Sequence, residues 1–201
     1  MRGGIAAPFF CAYIYNMTKT LPSVLLFLAA WLLGPVAVAQ STKAAALKQL
    51  TELKQAIISS DQSKVATYFD FPIADEELKL RAEYAGEQAI TISKLDKSAF
   101  NQYYSRIMTD DIVNLFKSVD FNALKTKNKV ERQVIPDNKI ETCYYTYTVE
   151  YSSNGITLSL LTNTRKDIEV DEAKACPEYA EKWNFKLKNG KLKFTEFAAA
   201  G

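Results

Sequence analysis

The chain contains no histidine and only seven glycines in 201 residues. Without histidine there is no imidazole general base, no imidazole metal ligand and no His-based nucleophilic triad. No glycine-rich loop is present to cradle a phosphate. Catalysis by carboxylates or tyrosines alone stays open, so an enzyme is disfavoured but not excluded. No cofactor is expected. Cysteine is also scarce, with three in all.

What is present begins with a leader. From Met17 the chain reads MTKTLPSVLLFLAAWLLGPVAVAQ. A basic start at Lys19 precedes the apolar run Val24 to Gly34, then Pro35 and the small-residue site Ala37-Val38-Ala39. This is the pattern of a secretory signal peptide cut before Gln40, with an uncleaved anchor as the alternative. Residues 1–16 read as an upstream mis-start, which sets Cys11 aside. Residues 40–201 then form one domain, long enough for a single core. Export predicts a periplasmic or extracellular protein with no stable membrane span once the leader is gone.

The leader takes Arg2 and Lys19 from the 25 basic residues and none of the 23 acidic ones. The remaining 23 basic residues balance the acidic ones, so no nucleic-acid partner is expected. Short charged runs, DEEL at Asp75 and KTKNK at Lys125, read as solvated loops. Two cysteines remain, Cys143 and Cys176, and an oxidising compartment predicts that they pair. Two free buried thiols are the alternative. The stretch DIEVDEAKACPE imitates calcium-loop spacing at Asp167, Glu169, Asp171 and Glu178, but Glu172 stands where the turn requires glycine. It reads as a solvated acidic loop, and no metal is expected.

Helical spacing dominates the first half. Leu47, Leu50, Lys54 and Ile57 share one side of a helix from about Thr42 to Ser59, whose apolar members, with neighbouring Leu53, face the core. Asp61 is an N-cap for a short second helix carrying Val65, Tyr68 and Phe69. Phe71-Pro72-Ile73 and QAITIS at Gln88–Ser93 read as short extended stretches. Phe100, Tyr103, Tyr104 and Ile107, then Ile112, Leu115, Phe116 and Val119, repeat the helical period around Thr109, a second cap. Asp110 and Asp111 there read as helix-start residues rather than a catalytic dyad.

The second half is strand. KVERQVI is one candidate, and two Asn-Gly pairs mark hairpins at Asn154-Gly155 and Asn189-Gly190. With two-residue turns, Ser153 pairs with Ile156, Tyr151 faces Leu158 and Tyr147 faces Thr162. In the second hairpin Leu187 faces Leu192, Phe185 faces Phe194 and Trp183 faces Glu196. Each hairpin then has one apolar and one polar face, as a sheet curved over helices requires. Away from the first turn the inner face becomes polar. Tyr145, Tyr147, Thr162, Thr164, Trp183 and Glu196 are therefore the candidate ligand-binding residues, under a loop tied by the cysteines. The bland alternative is that the tyrosines bury their rings and keep their hydroxyls at the rim.

The stretches SSDQSKVATYFDFPI, SKLDKSAFNQYYSRIMTDDIVNLF and WNFKLKNGKLKF, in this order, resemble the nuclear transport factor two-like superfamily. The resemblance implies an α+β fold, a cystatin-like cone with N-terminal helices packed in a curved antiparallel sheet. It is similar to small exported bacterial members without assigned activity. The superfamily includes isomerases, dehydratases and non-catalytic binding domains, so fold alone does not choose. The dehydratase His–Asp pair is impossible here, and no catalytic residue carries over. Members often dimerise through the outer sheet face. Here Tyr144, Thr146, Thr148, Asn184 and several lysines make that face polar, which argues against a large hydrophobic interface.

The expectation is an exported, non-catalytic binding or interaction domain holding a small amphipathic molecule in the cone. One alternative is an inhibitor or immunity-type protein whose partner is a cell-envelope enzyme. The other is a carboxylate–tyrosine, isomerase-like enzyme, marked by a buried acid of raised pKa beside Tyr145 or Tyr147.

Overall fold

A computed structural model describes residues 42–136, 142–167 and 175–201. The leader, Cys11, Glu169, Asp171 and Glu172 lie outside the described residues. The chain divides into Met1–Thr42 and Lys43–Gly201. The second unit contains the core described below.

Its architecture is α+β, with helices first and strands after. Helix α1 runs over 42–58. Leu50 and Leu53 are completely buried on it, and Ala46, Leu47, Ala56 and Ile57 nearly so. Burying each leucine stabilises the fold by about 2 kcal/mol. Asp61 caps α2 (Gln62–Ala66) by accepting from the Lys64 amide, as its position predicts. Then follow α3 (Glu76–Tyr84), α4 (Lys97–Gln102), α5 (Tyr104–Ile107), α6 (Asp110–Ser118) and a 3-10 turn at Phe121–Lys125.

Three sequence expectations change here. DEEL is not a loop: Asp75 is the N-cap of α3, accepting from the Leu78 amide at 2.8 Å. The helix escapes periodicity because only Leu78 and Ala82 are buried, while Leu80 and Tyr84 are exposed and the rest is charged. Gln88–Ser93 forms no strand, and Ile73 bridges to Leu95 instead. The helical run from Phe100 is broken into three. Thr109 is an N-cap by position, but its side chain makes no capping bond because it serves Arg81.

Five strands follow as a meander in the order β1-β2-β3-β4-β5, all antiparallel. They are β1 (Lys129–Val134), β2 (Cys143–Ser152), β3 (Gly155–Thr164), β4 (Tyr179–Lys188) and β5 (Lys191–Ala200). The inner face carries Tyr147, Val149, Ile156, Leu158, Leu160, Trp183, Phe185, Leu192, Phe194 and Phe197, all buried in one core with the helices.

The second hairpin turns at Asn189-Gly190, both with positive φ, and pairs Lys188 with Lys191 as expected. The first pairs Tyr151 with Ile156, so Ser153 and Asn154 form the turn and Gly155 already belongs to β3. Gly155 is needed elsewhere: at φ +131, a Cβ on it would stand 2.0 Å from the Phe185 carbonyl oxygen. Tyr151 meets Ile156 in place of the expected Leu158, a register change of two residues, so no side chain changes face.

The β4–β5 ladder holds the larger correction. A bulge lies between Asn184 and Phe185, pairing Asn184 with Glu196 and Trp183 with Phe197. The extra residue is Thr195, whose hydroxyl donates to the Asn184 carbonyl at 3.1 Å. Beyond the bulge the alternation is reset. Phe197 turns inward, and Glu196 turns outward and is exposed.

The outer edge of β5 is closed by the helical half. The Leu192 amide donates to Gln49 Oε1, Phe194 to the Tyr68 carbonyl, Phe197 to Asp75 Oδ2 and Ala199 to Glu77 Oε2. An edge supplied with acceptors in this way does not template another strand. The opposite edge, β1, is short and carries exposed Glu131 and Arg132.

Cys143 and Cys176 form a disulfide, with Cα atoms 5.1 Å apart. Closing a loop across 33 residues stabilises the fold by about 3–4 kcal/mol.

Candidate functional site

The polar end of the inner face is organised around Glu181, which is 2 % exposed. It lies on β4 two residues before Trp183 and so on the same face. Its Oε1 accepts from Arg81 Nε at 2.6 Å and from the Tyr179 hydroxyl. Its Oε2 accepts from Trp183 Nε1 at 3.4 Å. Arg81 comes from α3, where a one-sided polar helix turns its guanidinium inward. It also donates to Thr109 Oγ1 at 2.8 Å and to the Arg106 carbonyl at 3.1 Å. Its guanidinium carbon lies 5.6 Å from the Phe197 ring centre and 5.9 Å from that of Trp183.

A buried carboxylate that accepts from three donors and is paired with a cation is committed to the fold. Glu181 therefore clamps α3, α6 and β4 together rather than waiting for a substrate. Burial and the bond to Glu181 push the Tyr179 hydroxyl far above its ordinary pKa.

Beside this clamp stands Asp111, in the first turn of α6 and half-buried. Burial raises its pKa above the usual carboxylate range, and the charge of Glu181 raises it further. Tyr147 is buried, and its hydroxyl is pushed up to about 12 by burial and then by Asp111 and Tyr145. The Tyr145 and Tyr147 rings stack at 6.3 Å with planes 10° apart.

The six residues expected to line a pocket separate into four roles. Tyr145 and Tyr147 form the stacked pair. Thr162 is a backbone pin, donating to the Pro177 carbonyl at 2.9 Å and accepting from the Tyr179 amide at 3.0 Å. Thr164 does the same for Cys176, at 3.3 Å and 3.0 Å. Trp183 packs against Phe194 and Phe197 in the core. Glu196 is on the opposite face, bonded to Asn184 Nδ2 at 3.2 Å, because of the bulge at Thr195.

The open part of the inner face is the β1–β2 end. Arg132 lies opposite Tyr147, and Val134 opposite Tyr145. Arg132 is exposed, and Val134 and Tyr145 are half-buried. Arg165 borders this end, donating to the Pro136 carbonyl at 2.8 Å and forming a two-point ion pair with Asp167. The residues not foreseen were Glu181, Arg81 and Asp111. Strand alternation from Trp183 would have placed Glu181 inward. Nothing in the polar α3 sequence marks Arg81.

Among the described residues no group of histidine, cysteine or acidic side chains is arranged to hold a metal ion. None of the helices there is long and apolar enough to cross a membrane. No protein-family model, curated protein or solved structure matches the chain.

Proposed function

We propose that the protein is an exported, non-catalytic binding domain of the nuclear transport factor two-like, cystatin-like cone type. Its ligand is a small amphipathic molecule lying on the open strip of Tyr145, Val134 and Arg132, with Tyr147 buried beneath Tyr145. The observation that carries this reading is Tyr145, which stacks on the buried Tyr147 and leaves its own ring half-exposed on an otherwise buried sheet face. Flat rings offer apolar area, while Arg132 and Asp111 at the margins supply polar recognition. The disulfide and the absence of a spanning helix among the described residues accord with export.

Native mass spectrometry of the protein purified from expressing cells tests this. A bound small-molecule mass is expected, and Tyr145→Ala should lose it while keeping the thermal midpoint within a few degrees. Retention of an envelope protein with no small molecule would replace this reading with the inhibitor-type one.

A second reading rests on Asp111. A half-buried acid of raised pKa beside a tyrosine is the arrangement a carboxylate–tyrosine enzyme uses for proton transfer. Turnover of the co-purified compound, abolished by Asp111→Asn with binding intact, would favour it.

A further inference from the structure

Near-neutral overall charge conceals an uneven distribution. The outer face of the β4–β5 hairpin carries Lys186 directly opposite Lys193 and Lys188 directly opposite Lys191. Like charges in directly opposed positions destabilise a sheet. Asp70 is the acid that answers them, with its carboxylate 2.9 Å from Lys193 Nζ and 3.2 Å from Lys188 Nζ. Lys193 is further held by the Thr67 carbonyl at 3.0 Å. Lys186 and Lys191 are exposed and have no bonding partner among the described residues. Acidic side chains gather at the other end of β5, where Asp75 and Glu77 take its last amides. At the hairpin tip four lysines face one acid, Asp70, a positive pole with a net charge of three, and Glu196 is exposed further along the same face.

The composition of this pole selects its partner. It contains lysine and no arginine, and no exposed large apolar side chain accompanies it on the hairpin. Protein interfaces favour tyrosine, tryptophan and arginine and are depleted in lysine. Specific phosphate recognition favours the arginine fork. A diffuse anionic surface asks only for mobile point charges at the protein's edge.

We propose that the lysine face of the β4–β5 hairpin docks on an anionic lipid surface, orienting the protein with its hairpin tip against the headgroups. The docking is electrostatic and peripheral, with no insertion. Asp70 sets its strength by neutralising part of the patch.

Co-sedimentation of the chain from Gln40 onward, which holds the whole core, with phosphatidylcholine vesicles with and without phosphatidylglycerol tests the proposal. Binding is expected only when phosphatidylglycerol is present, and it should disappear at high salt. Lys186→Gln and Lys191→Gln should each weaken it about five-fold. Asp70→Asn should strengthen it by a similar factor. Equal binding to both vesicle types would overturn the proposal, as would indifference to the lysine and Asp70 variants at unchanged thermal midpoints. So would retention on heparin with no binding to phosphatidylglycerol vesicles, which would assign the patch to a soluble polyanion.

Discussion

The carboxylate of Asp75 joins the two halves of the fold: one oxygen accepts from the Leu78 amide at 2.8 Å and the other from the Phe197 amide at 2.7 Å. The first bond starts α3, and the second closes the edge of β5. Asp75→Ala removes a helix cap and leaves a strand amide unpaired, so it should cost about 2–3 kcal/mol. Asp75→Asn keeps an acceptor oxygen for one amide only and should cost about half as much. Urea unfolding of the two variants checks the order, and equal losses would show that the bond Asn retains contributes nothing.

Breaking the buried clamp should be more costly. Glu181→Gln leaves Arg81 charged among apolar rings, and Arg81→Met leaves Glu181 without its cation. Each should destabilise by about 3–5 kcal/mol. The double variant removes both charges and should cost clearly less than the sum of the two. A double-mutant cycle in urea reads the coupling directly. Additive losses would mean that the two side chains act independently.

The two hairpin glycines should respond differently to the same change. Gly155→Ala meets both a disfavoured φ of +131 and the Phe185 carbonyl oxygen at 2.0 Å. It should destabilise by about 2–4 kcal/mol. Gly190→Ala meets nothing within 4 Å and keeps only the penalty of its left-handed φ, +74. That should cost about 1 kcal/mol. Thermal unfolding of both variants separates steric from conformational cost.

Asp111 makes stability fall with rising pH. Its pKa is raised in the folded state, so the folded protein holds the proton more tightly than the unfolded chain. Its unfavourable contribution is absent below the ordinary carboxylate pKa of about 4 and complete above the raised folded value. Asp111→Asn should therefore match the parent in acid and be more stable than it at neutral pH. Urea midpoints at the two pH values test this, and an Asn variant less stable at neutral pH would show that the charged form is favoured in the fold.

Much of this architecture was legible in the chain. The period of Leu47, Leu50 and Ile57, with neighbouring Leu53, marked α1, and Asp61 marked the start of α2. Alternation from Tyr145 to Tyr151 and from Trp183 to Leu187 assigned the inner faces. The even cysteine count anticipated the disulfide. The candidate site was legible only in part. Tyr145 and Tyr147 were recognisable because two-residue alternation placed them inward. Glu196 was misplaced because a bulge leaves no mark at the level of residue type. Arg81 and Glu181 are 100 residues apart, and neither position shows a local pattern that announces the other.

The sequence by itself determined which side chains each strand and helix turns inward, because the periods of the backbone are local geometry. Only the tertiary structure decided where the ladder gains a residue at Thr195, which cation meets Glu181, and which acceptors close the β5 edge. Those outcomes depend on what stands opposite each group once it is buried. An unpaired charge or amide costs several kcal/mol there and costs nothing in water.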